Sequence, residues 1–365
     1  MNSAYGALLN VAFRWGRPEL GASITGTGRQ ITTFMIEKTH ELVEGTRVPV
    51  VKRTVIEDGE THNFYTIDSS TVVYSDTDST YFITHQDNKE DAVKFADAII
   101  AATNEAFPAF MKSVFNCIGG NEDLIKVNRE VVGSAGLWQA KKKYMIHVVD
   151  NEGKAVDKVK SQGSEIRKSD TPKPVQVFLK KVVDMILSGK PESELEKFVY
   201  EQRKTFKEFS DREMIALAAT KQVNNLDTFR AIYVSREMSK DISSGVIDVA
   251  THKVGARKRV NLPGHVRAAI NYWVAADRYD ASAKEILNGD KVIVVNLLPN
   301  QDQFTSIAFP SDIEEFPAWF LENYRIDRKT TTLKMIDNKI EGIFAAMGWE
   351  LPSEQRLIAK SLLKF

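Results

Sequence analysis

Cysteine is almost missing from this chain: Cys117 is the only one in 365 residues. It has no internal partner, which excludes a disulfide scaffold and leads us to expect a reducing compartment, the cytoplasm. Long apolar runs are missing as well. The stretch Val292-Ile293-Val294-Val295 is far short of the ~18 residues that a membrane span needs, so a water-soluble chain with no membrane partner is expected. Residues 4 to 13 are apolar, but no positive charge precedes them and Arg14 follows, so no secretory leader is expected. Neither charge sign is in excess, with 49 Lys+Arg against 49 Asp+Glu. With 11 Pro, 20 Gly and 43% hydrophobic residues, collagen-like, low-complexity and wholly disordered classes are excluded. At ~100 to 200 residues per domain, the length suits two or three domains.

What is present is unevenly arranged. Residues 141 to 181 carry eleven Lys/Arg against five Asp/Glu. A second cluster, His252, Lys253, Arg257, Lys258 and Arg259, is followed by His265 and Arg267. Two such patches can cradle one polyanion, or simply form two solvated faces.

Apolar spacing predicts a short helix over residues 2 to 13, ended by Arg17-Pro18, and a second helical stretch from about Ile31 to Val43. From Val48 to Phe82 the pattern is that of strands, with a turn at Asp58-Gly59. Residues 91 to 115 return to helical period, and Tyr144 to Val149 reads as a strand. After Thr171-Pro172, two helices are expected over Val175–Leu187 and Leu195–Phe206, with strands at Lys291–Leu297 and Ile307–Phe309 in an otherwise helical second half. No repeat or low-complexity linker is visible, and a domain boundary is expected near residue 165.

The densest chemical signal is Val72-Val73-Tyr74-Ser75-Asp76-Thr77-Asp78-Ser79-Thr80-Tyr81-Phe82. Two carboxylates at i and i+2 share one face of a strand, or converge at a hairpin turn, and such an oxygen set suits a hard divalent cation. An Asp-x-Asp alone also occurs in ordinary surface turns. The apolar strand on either side distinguishes this one, because it would draw the carboxylates out of bulk water.

The longer string Tyr74-Ser75-Asp76-Thr77-Asp78-Ser79 resembles motif C of the family B DNA polymerases. Asn2-Ser3-Ala4-Tyr5-Gly6 is similar to the end of that family's motif B, on the fingers helix that faces the incoming nucleotide. Gly136 to Tyr144, with Lys141-Lys142-Lys143-Tyr144, resembles the segment that holds the primer-template duplex. Lys160 to Lys168, with Gly163, Glu165 and Arg167, looks like the stretch joining palm to thumb, and His265-Val266-Arg267 like a thumb pattern. The likeness is closest to the T-even bacteriophage type, whose thumb and sliding-clamp tail are matched by Pro310-Ser311 and by Lys360 to Phe365.

The resemblance implies an α+β fold: a palm of antiparallel sheet with helices, followed by a mostly helical thumb. It implies the end of the fingers helix at 1–14, palm at 15–165, thumb at 166–355 and a clamp-binding tail at 356–365. Asp78 and Asp76 would be catalytic and hold two Mg²⁺ ions, with Glu130 a further carboxylate beside them or a plain surface residue. Asn2 and Tyr5, at i and i+3 on one helix face, and Gly6 would meet the dNTP. Primer-template DNA would lie on Lys141, Lys142, Lys143, Tyr144, Lys160, Arg167, His265 and Arg267. A sliding clamp would take Leu362, Leu363 and Phe365.

Several family parts are not found: the exonuclease domain, the first palm segment with its metal-binding Asp, and the motif B Lys that would stand four residues before Asn2. Asp312-Ile313-Glu314 mimics the opening of a proofreading site but is misplaced and has no companions. The expectation is therefore one chain of a split polymerase, completed by an N-terminal chain and working in the cytoplasm (of the host, if viral). An artificial or post-intein fragment would look the same. The alternatives weighed are an idle palm-thumb module that grips duplex DNA and a clamp, and a metal-dependent nuclease or unrelated nucleotidyl transferase. Ser75, where the family usually has Gly, is expected to crowd the hairpin slightly.

Overall fold

A computed structural model describes residues 2–14, 16–46, 50–57, 60–67, 71–76, 78–168, 170–240 and 262–353. The fold is α+β. Its elements run in the order α1 (Asn2–Leu9), α2 (Pro18–Glu44), β1 (Val50–Glu57), β2 (Glu60–Ile67), β3 (Val72–Asp76), β4 (Ser79–Phe82), α3 (Lys89–Phe115), β5 (Val131–Ala140), β6 (Lys143–Asn151) and β7 (Lys154–Gln162). Then come α4 (Lys173–Leu187), α5 (Glu192–Glu208), α6 (Asp211–Leu217), β8 (Ala219–Gln222), α7 (Leu226–Lys240), α8 (Gly264–Tyr279), β9 (Lys291–Asn296), β10 (Ser306–Pro310), α9 (Ala318–Asn323), α10 (Arg328–Thr332) and α11 (Asn338–Ala346). None of the described helices is long and apolar enough to cross a membrane.

Contacts divide the chain into two compact units, Met1–Trp138 with Ile146–Lys160, and Gln139–Met145 with Ser161–Phe365. In the first, α2 packs on α3 through Phe34, whose ring stacks on Phe110 at 4.1 Å and tilts against Phe107 at 5.2 Å. Asn88 caps α3 by accepting the Asp91 N–H at 2.9 Å, and Pro108 interrupts its backbone ladder. Strands β1 and β2 form one antiparallel hairpin, β3 and β4 another, and β5-β6-β7 a separate sheet. The turn between β6 and β7 has positive φ at both Glu152 and Gly153, the geometry that matches strand twist.

In the second unit the sheet order is β10-β9-β8, antiparallel throughout. Helix α8 buries Val266, Ala269, Ile270 and Ala276, a helical-period stripe, in a core shared with Val292, Val295, Phe309 and Phe320. A second apolar stripe, Val175, Phe178, Leu179, Val182 and Ile186, runs along α4, and Phe178 stacks on Phe198 of α5 at 5.7 Å.

Two expected boundaries move. The first helix stops at Leu9 because the Asn10 side chain accepts the Ala12 N–H at 3.0 Å, offering the backbone a turn in place of the next helical bond. Arg17-Pro18 opens a helix instead of merely closing one: Pro18 sits in the first turn of α2, where its missing N–H has no partner to lose. This helix starts thirteen residues before Ile31, through Gly21, Thr25, Gly26, Thr27 and Gly28, which have weak helix propensity. The Thr25 hydroxyl donates to the Ala22 carbonyl at 2.9 Å and that of Thr32 to Gly28 at 2.9 Å, keeping both polar groups on the helix's own backbone. Val48, Asp58 and Gly59 lie outside the described residues.

Candidate functional site

The motif Tyr74 to Tyr81 folds as the β3–β4 hairpin, with Asp76 opposite Ser79, Ser75 opposite Thr80 and Tyr74 opposite Tyr81. Alternating Val, Tyr and Thr residues favour paired strands, and the polar Asp-Thr-Asp segment suits the turn between them. The Asp78 N–H donates to the Asp76 carbonyl at 2.6 Å and the Ser79 hydroxyl to the same carbonyl at 3.2 Å, which folds the two aspartates onto one tight corner. Asp76 is half-buried and Asp78 exposed. Ser75 donates its hydroxyl to the Ser79 carbonyl at 3.0 Å, so it ties the two strands together. Tyr81 meets Tyr74 with ring centroids 6.1 Å apart and the edge of Trp138 at 6.1 Å.

Asp78 and the strand β4 line a groove of about 730 Å³, with Met35 and Thr39 of α2, Ala96 and Ile99 of α3, and the start of β5 as its other walls. Two polar atoms on residues of this groove, Thr80 Oγ1 and Trp138 Nε1, are buried without a hydrogen-bond partner. Glu130 also lines it. Its carboxylate accepts from Lys160 Nζ at 2.5 Å, so these two expected site residues occupy one another. Among the described residues no three carboxylate, histidine or cysteine side chains converge as a metal site. The corner thus offers two carboxylates with hard oxygen atoms, a donor chemistry that fits Mg²⁺ bound through one or two carboxylates with water and phosphate completing its shell.

Sequence reasoning missed the charge that props up this unit. Arg129 donates its Nε to Asp97 at 2.8 Å and a second nitrogen to Asp150, which is buried. The hydrogen bond that Arg129 donates to Asp97 outweighs the cost of burial, and with the one to Asp150 it raises the guanidinium pKa above its usual value. The partners lie 32 and 21 residues away in sequence, so no local signal could have paired them.

Of the expected duplex-binding residues, Lys160 belongs to the first unit and the others to the second. Lys141 and Lys142 form the tip of the β5–β6 hairpin and are exposed, Lys143 is half-buried, and Tyr144 is buried. Lys142 has a φ of 61°, which a non-glycine residue seldom adopts. Arg267 is exposed on α8, and His265 is half-buried in its first turn. Burial, and then the positive charge of Lys221, hold the imidazole pKa below its usual value. Arg167 belongs to a short 3₁₀ turn, and Asn2 and Tyr5 to the backbone of α1. Gly6 on that helix has open space where a Cβ would stand. Leu362, Leu363 and Phe365 lie outside the described residues, and Asp312 is held in an ion pair with Lys284 at 2.5 Å.

The sequence profile of DNA polymerase family B matches residues 1–261. This chain belongs to that family. Over 340 residues it is 25% identical to the DNA-directed DNA polymerase of Enterobacteria phage T4, a match covering 86% of the chain and 32% of the phage protein. A second relative, the DNA-directed DNA polymerase of Escherichia phage RB69, is 26% identical over 336 residues with the same coverage. The chain spans about a third of the length of these relatives. Its family B character and its likeness to the T-even phage type rest on the whole match, not on the Asp-x-Asp hairpin alone.

Proposed function

We propose that this chain supplies the metal-holding hairpin and the duplex-gripping surface of a template-directed DNA polymerase. The observation that carries the proposal is the β3–β4 corner, which sets Asp76 and Asp78 one residue apart, with Asp78 on the wall of an open groove. Asp78 and Asp76 would hold Mg²⁺ here. What two bound Mg²⁺ ions supply is activation of the primer 3′-hydroxyl and neutralisation of the pyrophosphate that leaves in the in-line displacement. The chain's own residues do the holding and orienting. We assign Asn2, Tyr5 and Gly6 of the fingers helix to the dNTP. Lys141, Lys142 and Lys143 bind phosphates of the primer-template, with Tyr144 packing under the duplex, and we assign Lys160, Arg167, His265 and Arg267 to further duplex contacts.

In this proposal residues 1–14 end the fingers, 15–165 form the palm, 166–355 the thumb, and 356–365 a tail for a sliding clamp. The palm needs a further carboxylate and the nucleotide a lysine, and we assign both to an N-terminal polymerase chain that completes the site. Glu130 serves as a metal ligand only after release from Lys160.

Primer extension with Mg²⁺ and dNTPs, run on this chain alone and then with a polypeptide carrying the N-terminal polymerase part, tests this. We expect extension only in the mixture, and its loss in Asp78→Ala. A mixture that forms a complex but extends no primer would overturn the proposal in favour of an idle palm-thumb module that grips DNA.

A further inference from the structure

The tip of the β5–β6 hairpin groups with the second unit, where its backbone meets Gly163. At Gly163, just past the end of β7, an added Cβ would stand 2.0 Å from the Lys142 carbonyl oxygen, 3.1 Å from its carbon and 3.5 Å from the Lys143 Cα. All three obstacles are main chain, so no side-chain rotation relieves the collision. Gly163 has a φ of 61°, as does Lys142. Both halves of the contact therefore stand in the left-handed region, which strains a non-glycine residue. Beside them the hydroxyls of Ser161 and Ser164, each 4% exposed, hydrogen-bond to one another at 2.5 Å and hold the bend in which Gly163 sits.

We propose that Gly163 is a positioning residue: by carrying no Cβ, it lets the chain leaving β7 clamp the Lys141–Lys143 turn in its strained conformation and aim the lysines at duplex phosphates. The aim of the lysines rests on the proposed function above; the clamp does not. The clamp works by excluding the other positions of the turn. A strained Lys142 backbone persists only where its surroundings over-determine it, and the Gly163 contact supplies that constraint.

Gly153 is a built-in control. It too has a positive φ, 83°, but a Cβ there would meet nothing within 4 Å. Gly153→Ala therefore carries the backbone strain without the collision. The full chain, Gly163→Ala and Gly153→Ala are compared by amide hydrogen exchange over residues 139–145 and by anisotropy titration of a labelled primer-template duplex across a salt series. In Gly163→Ala we expect exchange over 139–145 to rise at least threefold. Affinity should fall about tenfold, and the log affinity versus log salt slope should fall by about 1 although no charge has been removed. Gly153→Ala should change neither. Unchanged exchange over 139–145 in Gly163→Ala, or an equal rise in Gly153→Ala, would overturn the clamp. Faster exchange with unaltered DNA affinity and slope would uphold the clamp and overturn the role of the turn in DNA binding. Should Gly163→Ala not fold, the unaltered chain decides: the Lys141–Lys143 amides should exchange at least as slowly as those of Glu152 and Gly153, which both donate hydrogen bonds, and exchange tenfold faster than theirs would overturn the clamp.

Discussion

Replacing Lys141, Lys142 and Lys143 together by alanine should change how DNA binding responds to salt more than it changes folding. Each phosphate neutralised by a lysine adds about 0.9 to the slope of log affinity against log salt. Three such contacts add about 2.7, so raising salt fourfold, from about 50 to 200 mM, should weaken the unaltered chain about 40-fold more than the triple variant. Lys143 is half-buried whereas Lys141 and Lys142 are exposed. Two full contacts, the floor set by that geometry, give a slope change of about 1.8 and a difference of about 12-fold. The assay is anisotropy of a fluorescent primer-template duplex at four or five salt concentrations. The turn is solvent-facing at its tip, so unfolding of the triple variant should occur within about 0.5 kcal/mol of the unaltered chain. A triple variant whose slope equals that of the unaltered chain within error would refute the placement of DNA on this turn.

Two further predictions concern the second unit. Arg203 donates its Nε to Asp337 at 2.8 Å, a second nitrogen to the same carboxylate and a third to the Pro352 carbonyl at 2.5 Å, with both side chains of the pair 14% exposed. Arg203→Met leaves Asp337 nearly buried without its countercharge and should cost about 3 kcal/mol in urea unfolding. Adding Asp337→Leu should recover most of it, whereas Lys204→Ala, which breaks an exposed helical pair at 4.0 Å, should cost under about 0.5 kcal/mol. A loss below about 1 kcal/mol in Arg203→Met would contradict the burial argument.

Glu165 supplies the pH test. Burial alone would raise its pKa, but hydrogen bonds from Lys168 and Lys339 outweigh that and hold it below the usual 4.5. A carboxylate with a depressed folded pKa contributes stability that is full above the unfolded value and is lost as pH falls through the folded one. Stability measured from about pH 6 down to pH 3 should therefore fall less steeply in Lys339→Met than in the unaltered chain. Identical pH profiles would show that the Lys339 pair contributes nothing.

The sequence alone determined what depends on neighbours a few residues apart. The β3–β4 hairpin was legible because β-branched and aromatic residues flank a polar turn, and Asp76 and Asp78 are close in space for the same reason that they are close in sequence. Helices α3 to α5 and the strand β9 were legible from apolar period. Strands β5 and β7 were not. The first runs through Gly133, Ser134 and Gly136, and the second offers Ala155, Val156 and Val159 among four charged residues, so neither shows the alternation that marks a half-buried strand. The first half of α2 was hidden by Gly and Thr residues of weak propensity, which long-range packing overrides. Tertiary structure alone decided which charges meet. It set Glu130 against Lys160, 30 residues on, and drew Arg129 to Asp97 and Asp150, because opposite charges pair where the folded backbone brings them together, Asp150 away from water and Glu130 and Asp97 at the surface. It also brought the Lys142 carbonyl against Gly163, a contact with no pattern in the sequence because it depends on an atom that glycine lacks.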